Sequence, residues 1–303
     1  MRGPALHRGD CIGIAAPATH DEGQNISAAV VRLEQAGYRI KEMPTVHGNY
    51  GFFSGTDAER AGDINALFHD DDVKAIICLN GGYGSARILD KLDYEYIAAH
   101  PKLVIGFSDV TALQLALWEK CRLVTANGPL MVTLGGSDAY TAGQFFRGLT
   151  TNEWQGPLAL PAGRKLTTLV PGQAEGPIVG GNLTVLTSLV GTPYALDGTG
   201  CILVLEDTGE DAYRIDRMLN QLWQSGLLSR VAAIAYGDFT DCPHDPGDFT
   251  TEQVLDYYAH LAGKPAIKGL PVGHTKDKAF IPYGVKVRLD AGREGASLTF
   301  VDG

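Results

Sequence analysis

Ser108 directly follows the apolar run Leu103-Val-Ile-Gly-Phe107 and directly precedes the helix-forming stretch Asp109-Val-Thr-Ala-Leu-Gln-Leu-Ala-Leu-Trp-Glu-Lys120. A strand–turn–helix of this kind sets a side chain at the carboxyl edge of a parallel sheet, where open α/β folds bind their ligands. It also sets the first N–H groups of the helix beside the serine, ready to stabilise an oxyanion. This is the geometry of a nucleophile elbow. The pattern departs from G-x-S-x-G, because Gly106 stands at −2 but Val110 at +2. Serine is equally a preferred N-cap, so Ser108 could simply cap the helix.

Other residues could take part. Asn80-Gly-Gly-Tyr-Gly-Ser-Ala86 also lies between a strand and a helix, and its glycines let backbone N–H groups approach a ligand closely. It is either a tight turn or a second source of oxyanion donors. A dinucleotide fingerprint would need glycine where Arg87 stands, and no Walker A pattern occurs. Glu206 and Asp207 end the apolar run Cys201–Leu205. A carboxylate there can orient a histidine, and it can equally be a solvated strand end or a helix cap. His274 lies in Gly269-Leu-Pro-Val-Gly-His-Thr275, where two glycines and a proline restrict the backbone. His7, His20, His47, His69, His100 and His260 sit in charged or loop contexts and read as surface. His244 has no second His or Cys at ligand spacing and H-E-x-x-H is absent, so no metal site is expected.

The elements that must position these residues alternate in the first half. Cys11–Ala16, Tyr38–Met43, Val73–Leu79, Leu103–Phe107 and Leu123–Ala126 read as strands, with helical stretches between them; Thr56-Asp-Ala-Glu59 is a capping-box signature. That alternation implies α/β architecture with a parallel sheet covered on both faces. Residues 151–177 hold four glycines and four prolines without sustained periodicity, which predicts a linker. The expected domains are therefore 1–150, carrying Ser108, and 178–303, carrying Glu206 and His274. In the second half strands are expected at Ile178–Gly180, Cys201–Leu205, Val231–Tyr236, Val285–Leu289 and Ser297–Val301, the last two as a hairpin.

Composition narrows the function classes. Of 303 residues, 45% are apolar and 20% charged, enough for a buried core. The net charge is 25 − 35 = −10, which argues against a nucleic-acid groove or an anionic membrane surface. Five scattered cysteines without C-x-x-C read as reduced thiols. With no signal-peptide pattern and no apolar run approaching 18 residues, a soluble cytoplasmic protein is expected. Glycine is high, 38 of 303 residues against about 7% in ordinary chains, and reads as many turns and close backbone approaches.

Taken together, Asn80-Gly-Gly-Tyr-Gly84, Gly106-Phe-Ser-Asp109, Gly180-Gly-Asn-Leu183, Leu205-Glu-Asp207 with Tyr213-Arg-Ile-Asp-Arg-Met-Leu219, and Gly269-Leu-Pro-Val-Gly-His274 resemble, in order and spacing, the L,D-carboxypeptidases (muramoyltetrapeptide carboxypeptidases). The resemblance spans nearly the whole chain. It implies a Rossmann-like N-terminal domain and a smaller mixed α/β C-terminal domain. It implies Ser108 as nucleophile, His274 as general base and then acid, and Glu206 as the residue orienting His274. The backbone N–H groups of Gly82 and Asp109 correspond to the oxyanion hole, and Gly81, Tyr83 and Asn182 are candidate substrate contacts. The implied reaction removes the terminal D-alanine of the murein tetrapeptide, after meso-diaminopimelate, in cytoplasmic cell-wall recycling. No metal or other cofactor is implied, and the protein is expected to be a homodimer. A triad divided between the two halves places the expected site between the domains.

Three other readings are carried. A microcin C immunity-type hydrolase would use a similar Ser-Glu-His set on an aminoacyl-adenylate analogue, for which Trp154 is the aromatic candidate. A non-catalytic two-domain binding protein would hold its ligand without turnover. A nucleotide-binding oxidoreductase is disfavoured by the incomplete glycine fingerprint. For the substrate's terminal carboxylate, Arg87, Arg214 and Arg217 are unranked candidates, and Asn182 could contact substrate or stitch backbone.

Overall fold

The computed structural model describes residues 1–20, 26–293 and 295–302. In chain order the elements are β1 (Cys11–Ala15), α1 (Ser27–Gln35), β2 (Arg39–Glu42), α2 (Asp57–His69), β3 (Val73–Cys78), α3 (Tyr94–Ala99), β4 (Leu103–Gly106), α4 (Thr111–Cys121), β5 (Thr125–Asn127), α5 (Met131–Leu134) and α6 (Ala139–Leu149). There follow β6 (Trp154–Pro157), β7 (Thr167–Val170), β8 (Gly172–Asn182), α7 (Leu183–Ser188), β9 (Ile202–Thr208), α8 (Ala212–Gln224), α9 (Leu227–Arg230), β10 (Ala233–Thr240), α10 (Thr251–Ala262), β11 (Ala266–Lys268), β12 (Ile281–Tyr283), β13 (Lys286–Ala291) and β14 (Ala296–Asp302). The chain divides into two compact units. Unit 1 is Met1–Asn152 with Lys278–Pro282, and unit 2 is Glu153–Asp277 with Tyr283–Gly303.

Unit 1 is built on a sheet of order β12-β5-β4-β3-β1-β2, in which β1 to β5 run parallel. The central strands are apolar on both faces, and Ile12, Ile14, Ile76, Ile77, Val104 and Ile105 are completely buried. That double burial is what a parallel sheet covered by helices requires. The order 2-1-3-4-5 reverses between β1 and β3, so the loops leaving the carboxyl ends of those strands flank the position where such folds bind ligands. Thr56 and Glu59 form the expected capping box at the head of α2. Gln114 of α4 donates to the carbonyls of Gly106 and Ala126, tying α4 to the ends of β4 and β5.

Unit 2 has a sheet of order β6-β14-β13-β8-β9-β10-β11-β7. Its centre, β8 to β11, is parallel, and the flanking strands pair antiparallel. The C-terminal hairpin is β13–β14.

Two expectations are corrected here. Residues 151–177 are not a linker: they contribute β6, β7 and the first half of β8. Their Gly and Pro residues hid these strands, because such residues are tolerated at strand ends and sheet edges, and β6 and β7 are the two edge strands of the sheet. The C-terminal domain is also not continuous, since Lys278–Pro282 returns to unit 1, where β12 pairs with β5. Among the described residues, no helix is long and apolar enough to cross a membrane.

Candidate active site

Ser108 sits at the end of β4 with φ +62°, in the left-handed region. L-residues other than glycine rarely occupy it, because Cβ crowds the backbone there. A residue capping a helix has extended backbone instead. The short 3₁₀ turn Ser108–Val110 and α4 behind it have Phe107 and Val110 at their N-cap positions, and neither has a side-chain cap bond. The two readings of Ser108 thus separate: its backbone is that of a strained turn that projects a side chain, not that of a cap. Gly81, at the end of β3, passes directly behind it. A Cβ at Gly81 would lie 3.0 Å from Ser108 Cβ and 3.1 Å from its Oγ, so any side chain there would press on the serine, which would have to shift by a few tenths of an ångström.

Gly82 has φ +88° and Thr19 packs against its Cα; a Cβ there would meet Thr19 Oγ1 at 2.1 Å. Thr19 also straps the loop. Its N–H donates to Gly81 O (3.2 Å), and its Oγ1 accepts from Tyr83 N (2.9 Å). Thr19 follows β1 and Gly82 follows β3, so the strap spans the sheet's switch point. Asp109 is the second residue of the turn, where a helix start leaves its N–H without an intrahelical acceptor. Its carboxylate is turned the other way, is almost fully buried, and accepts from Ser85 N at 2.8 Å. Burial pushes the Asp109 carboxyl above its ordinary range, and the N–H groups of Ser85 and Gly84 with Arg60 oppose that. Arg60 is completely buried and donates to the carbonyls of Gly55, Pro17 and Gly84. Its guanidinium lies 4.6 Å from the Phe53 ring centre. Tyr83, half exposed, stands beside Phe52 and Phe53 with ring centres 6.0 and 5.7 Å away.

In unit 2, β9 carries Glu206 at its carboxyl end, with no exposed surface. Its Oε2 lies 3.0 Å from His274 Nδ1, the distance of a hydrogen bond that holds an imidazole in one orientation. Gly273 makes the approach possible: it has φ +109°, and a Cβ there would stand 2.6 Å from Glu206 Oε2. The loop before it is braced by Arg164, which donates to Gly269 O (2.7 Å) and Leu270 O (3.1 Å) and pairs with Asp238. Leu270 N donates to Tyr236 O, and Asp238 N to Val272 O.

Asn182 and Asp207 form a second buried cluster. Asn182 pairs with Glu206 in the β8–β9 ladder. Its Nδ2 donates to Asp207 Oδ1 (2.9 Å), and its Oδ1 accepts from Val185 N at the head of α7 (3.1 Å). Asp207 also accepts from Thr184 N, Thr184 Oγ1 and Thr208 N. The Asn182 bonds tie the end of β8 to β9 and to the head of α7. Asp207 caps α7, which precedes it, rather than the helix that follows.

The structure therefore brings Ser108, Gly81, Gly82, Tyr83 and Asp109 together within unit 1, and Glu206, His274 and Asn182 together within unit 2. Thr19, Arg60, Arg164 and Asp207 are supporting residues that sequence reasoning missed or left open. The only signal for Thr19 was its place after β1, and Arg164 lay in the presumed linker. Arg87 is bound through two nitrogens to Asp57 (3.0 and 2.8 Å). Arg214 lies within ion-pair distance of Glu210 and Asp211. His244 is an exposed loop residue, and among the described residues no group of three His, Cys, Asp or Glu is placed to hold a metal ion.

Comparison with known proteins yields matches over both units. Residues 12–128 match the model of the LD-carboxypeptidase N-terminal domain, and residues 175–289 that of the LD-carboxypeptidase C-terminal domain. The chain is 37% identical to a probable murein peptide carboxypeptidase of Bacillus subtilis, over 96% of this chain and 92% of that one. It is 29% identical to the Microcin C7 self-immunity protein MccF of Escherichia coli, over 96% and 93%. The crystal structure of muramoyltetrapeptide carboxypeptidase from Oxalobacter formigenes superposes with TM-score 0.83 at 30% identity, covering 96% of this chain and 99% of that one.

Proposed function

This chain belongs to the LD-carboxypeptidase family and is a serine-type carboxypeptidase, and on that premise we propose that it releases the terminal D-alanine of the murein tetrapeptide, at the bond after meso-diaminopimelate. Ser108 is the nucleophile, His274 the general base and acid, and Glu206 the residue that orients His274. A serine hydroxyl is a weak nucleophile at neutral pH and needs an adjacent base. The reading requires His274 Nε2 to reach Ser108 Oγ in the working enzyme. Nε2 takes the hydroxyl proton as Oγ attacks the scissile carbonyl carbon. The oxyanion that forms is received by the N–H groups of Gly82 and Asp109, each such donor being worth about 2.7–4 kcal/mol of barrier. The C–N bond then breaks as the imidazolium gives its proton to the D-alanine nitrogen. Water, deprotonated by His274, cleaves the acyl-enzyme and restores Ser108. Glu206 stays ionised and stabilises the imidazolium.

The observation that carries this reading is Ser108 at φ +62° on the edge of a parallel sheet, against Gly81. A strained, projecting serine has a reason to exist at a site and none as a cap. The same reading assigns Gly81 and Tyr83 to the substrate side of the loop, and carries a cytoplasmic homodimer working in cell-wall recycling. Mass-spectrometric assay of the diaminopimelate tetrapeptide tests it: wild type must release D-alanine and a folded Ser108→Ala variant must not. The similarity to MccF sustains a second reading, hydrolysis of an aminoacyl-adenylate analogue. Nucleotide release from such a compound without D-alanine release from the tetrapeptide would replace the first reading by the second.

A further inference from the structure

Both oxyanion donors assigned above are backbone N–H groups on loops: Gly82 follows β3 and Asp109 follows β4. Such donors lower a barrier only when their directions are fixed before the negative charge forms. A group that holds the two loops against each other is therefore needed. Resting on the carboxypeptidase reading above, we propose that Arg60 is that group, a positioning residue for the oxyanion hole that acts through the peptide between Gly84 and Ser85.

The bonds of Arg60 are the argument, and all of them lie within unit 1. Arg60 belongs to α2 and has no exposed surface. Its Nε donates to Gly55 O at 3.1 Å, its Nη1 to Pro17 O and to Gly84 O at 3.0 Å, and its Nη2 pairs with Asp57 Oδ1 at 2.5 Å. An ion pair with Asp57 on the same helix would use one nitrogen and could stay in water. Taking a guanidinium out of water is costly, and it is offset only where the fork finds further partners. Those partners are main-chain carbonyls, and Pro17 and Gly84 flank the oxyanion loop. Pro17 stands two residues before Thr19, which donates to Gly81 O and accepts from Tyr83 N. Gly84 stands two residues after Gly82. The peptide joining Gly84 to Ser85 is gripped on both sides: its C=O accepts from Arg60, and its N–H donates to Asp109 Oδ2 at 2.8 Å. Bonds at the two ends of one peptide polarise it in the same sense and strengthen each other. Asp109 is also the residue whose own N–H is the second donor. One peptide group thus ties the Gly82 loop to the Ser108 turn, and Arg60 sets its orientation. Gly84 leaves the room for this: it has φ +136°, and a Cβ there would stand 2.8 Å from Arg60 Nη1.

Kinetics on the murein tetrapeptide and binding of a transition-state mimic test the assignment. In Arg60→Met the Gly84–Ser85 peptide is gripped on one side only. The kcat for D-alanine release is expected to fall about 10²-fold, the cost of ~1 Å of misplacement or of one lost oxyanion donor, with KM within a few-fold. Arg60→Lys keeps the charge but not the planar fork, and should recover part of that loss, ending about tenfold below wild type. The mimic is the tripeptide whose diaminopimelate ends in an aldehyde: Ser108 Oγ adds to its carbonyl carbon, and the aldehyde oxygen takes the place of the oxyanion. Its affinity should fall by the same factors as kcat, while calorimetry in a Ser108→Ala background should find tetrapeptide binding unchanged. If Arg60→Met does not fold, Arg60→Lys carries the test and must show the same split. A residue that only stabilises the fold would lower the urea midpoint and leave kcat per folded molecule and aldehyde affinity unmoved. That result overturns the assignment of Arg60 alone, as does a loss confined to KM or one equal for aldehyde and tetrapeptide. Failure of the wild type to release D-alanine refutes the carboxypeptidase reading, and the assignment with it.

Discussion

Replacing Glu206 by glutamine changes one atom in a fully buried place, and its effect can be worked from the surroundings. In the wild type, Oε2 faces His274 Nδ1 at 3.0 Å, while Oε1 is buried with no hydrogen-bond partner among the described residues. A glutamine has two orientations there. With its NH₂ toward the imidazole, Nδ1 must accept, so the ring proton moves to the ring's Nε2. In the proposed mechanism that nitrogen accepts the proton of Ser108. With its oxygen toward the imidazole the working tautomer survives, but the NH₂ occupies the position of the orphan Oε1. A buried donor left unmade costs about 1–3 kcal/mol. Either orientation leaves a buried polar group unmade, so the wrong tautomer takes a share of the molecules, and those with the right tautomer still lack the carboxylate that stabilises the imidazolium. In a serine protease, the same exchange of carboxylate for amide lowers turnover by about 10⁴. We expect kcat for D-alanine release to fall by about 10³–10⁴ with KM within a few-fold and an unchanged circular dichroism spectrum. A folded Glu206→Gln variant within tenfold of wild-type kcat would refute the role given to the carboxylate.

Gly81→Ala pushes Ser108 by a few tenths of an ångström; since ~1 Å of misplacement costs about 10²-fold, a several-fold loss of kcat is expected with Tm unchanged, and full activity would disprove the tight fit. Gly82→Ala combines a left-handed backbone with a collision on Thr19 Oγ1. It should cost about 1–2 kcal/mol from the backbone alone and more from the collision, of which Thr19→Gly relieves only the second part; strictly additive urea-unfolding energies in the double mutant would contradict this. Burial holds the Asp109 carboxyl above its ordinary 3.8, so the folded protein keeps a proton that the unfolded chain has released. Stability from that proton is fully present below the unfolded value and is lost as pH rises through the folded one. Asp109→Asn should therefore flatten the stability–pH curve in that window, and an identical curve in urea midpoints would count against it. Arg164→Met frees the carbonyls of Gly269 and Leu270 and should lower kcat by roughly tenfold while KM holds; a change confined to KM would show that Arg164 works on substrate instead.

Much of this protein is written in its sequence. Short apolar runs alternating with helical stretches specify a parallel sheet, because only strands buried on both faces tolerate such continuous hydrophobicity. The run Leu103–Phe107 places Ser108 at a strand end on local grounds alone. Glu206 at the end of an apolar run and His274 in a glycine-rich loop were legible as chemistry-bearing types, and the order of five motifs pointed to the family. The high glycine content also acquires definite meaning at Gly81, Gly82 and Gly273, where a side chain would strike Ser108, Thr19 or Glu206.

What the sequence left open depends on contacts between distant segments. Whether Ser108 caps or projects was decided by its φ, which residue types and spacing do not report. Strands β6 and β7 were invisible because their pairing partners lie roughly a hundred residues or more away, beyond the reach of any local pattern. The bond from Asn182 to Asp207, 25 residues on, is likewise absent from any local pattern. The segment Lys278–Pro282 is the extreme case. Its types and spacing say only that it follows a histidine loop, and the fold alone returns these five residues to the first unit, where β12 pairs with β5. Local propensity is a property of neighbours in sequence, whereas a site is made by neighbours in space, and the two coincide only where the chain folds on itself within a few residues.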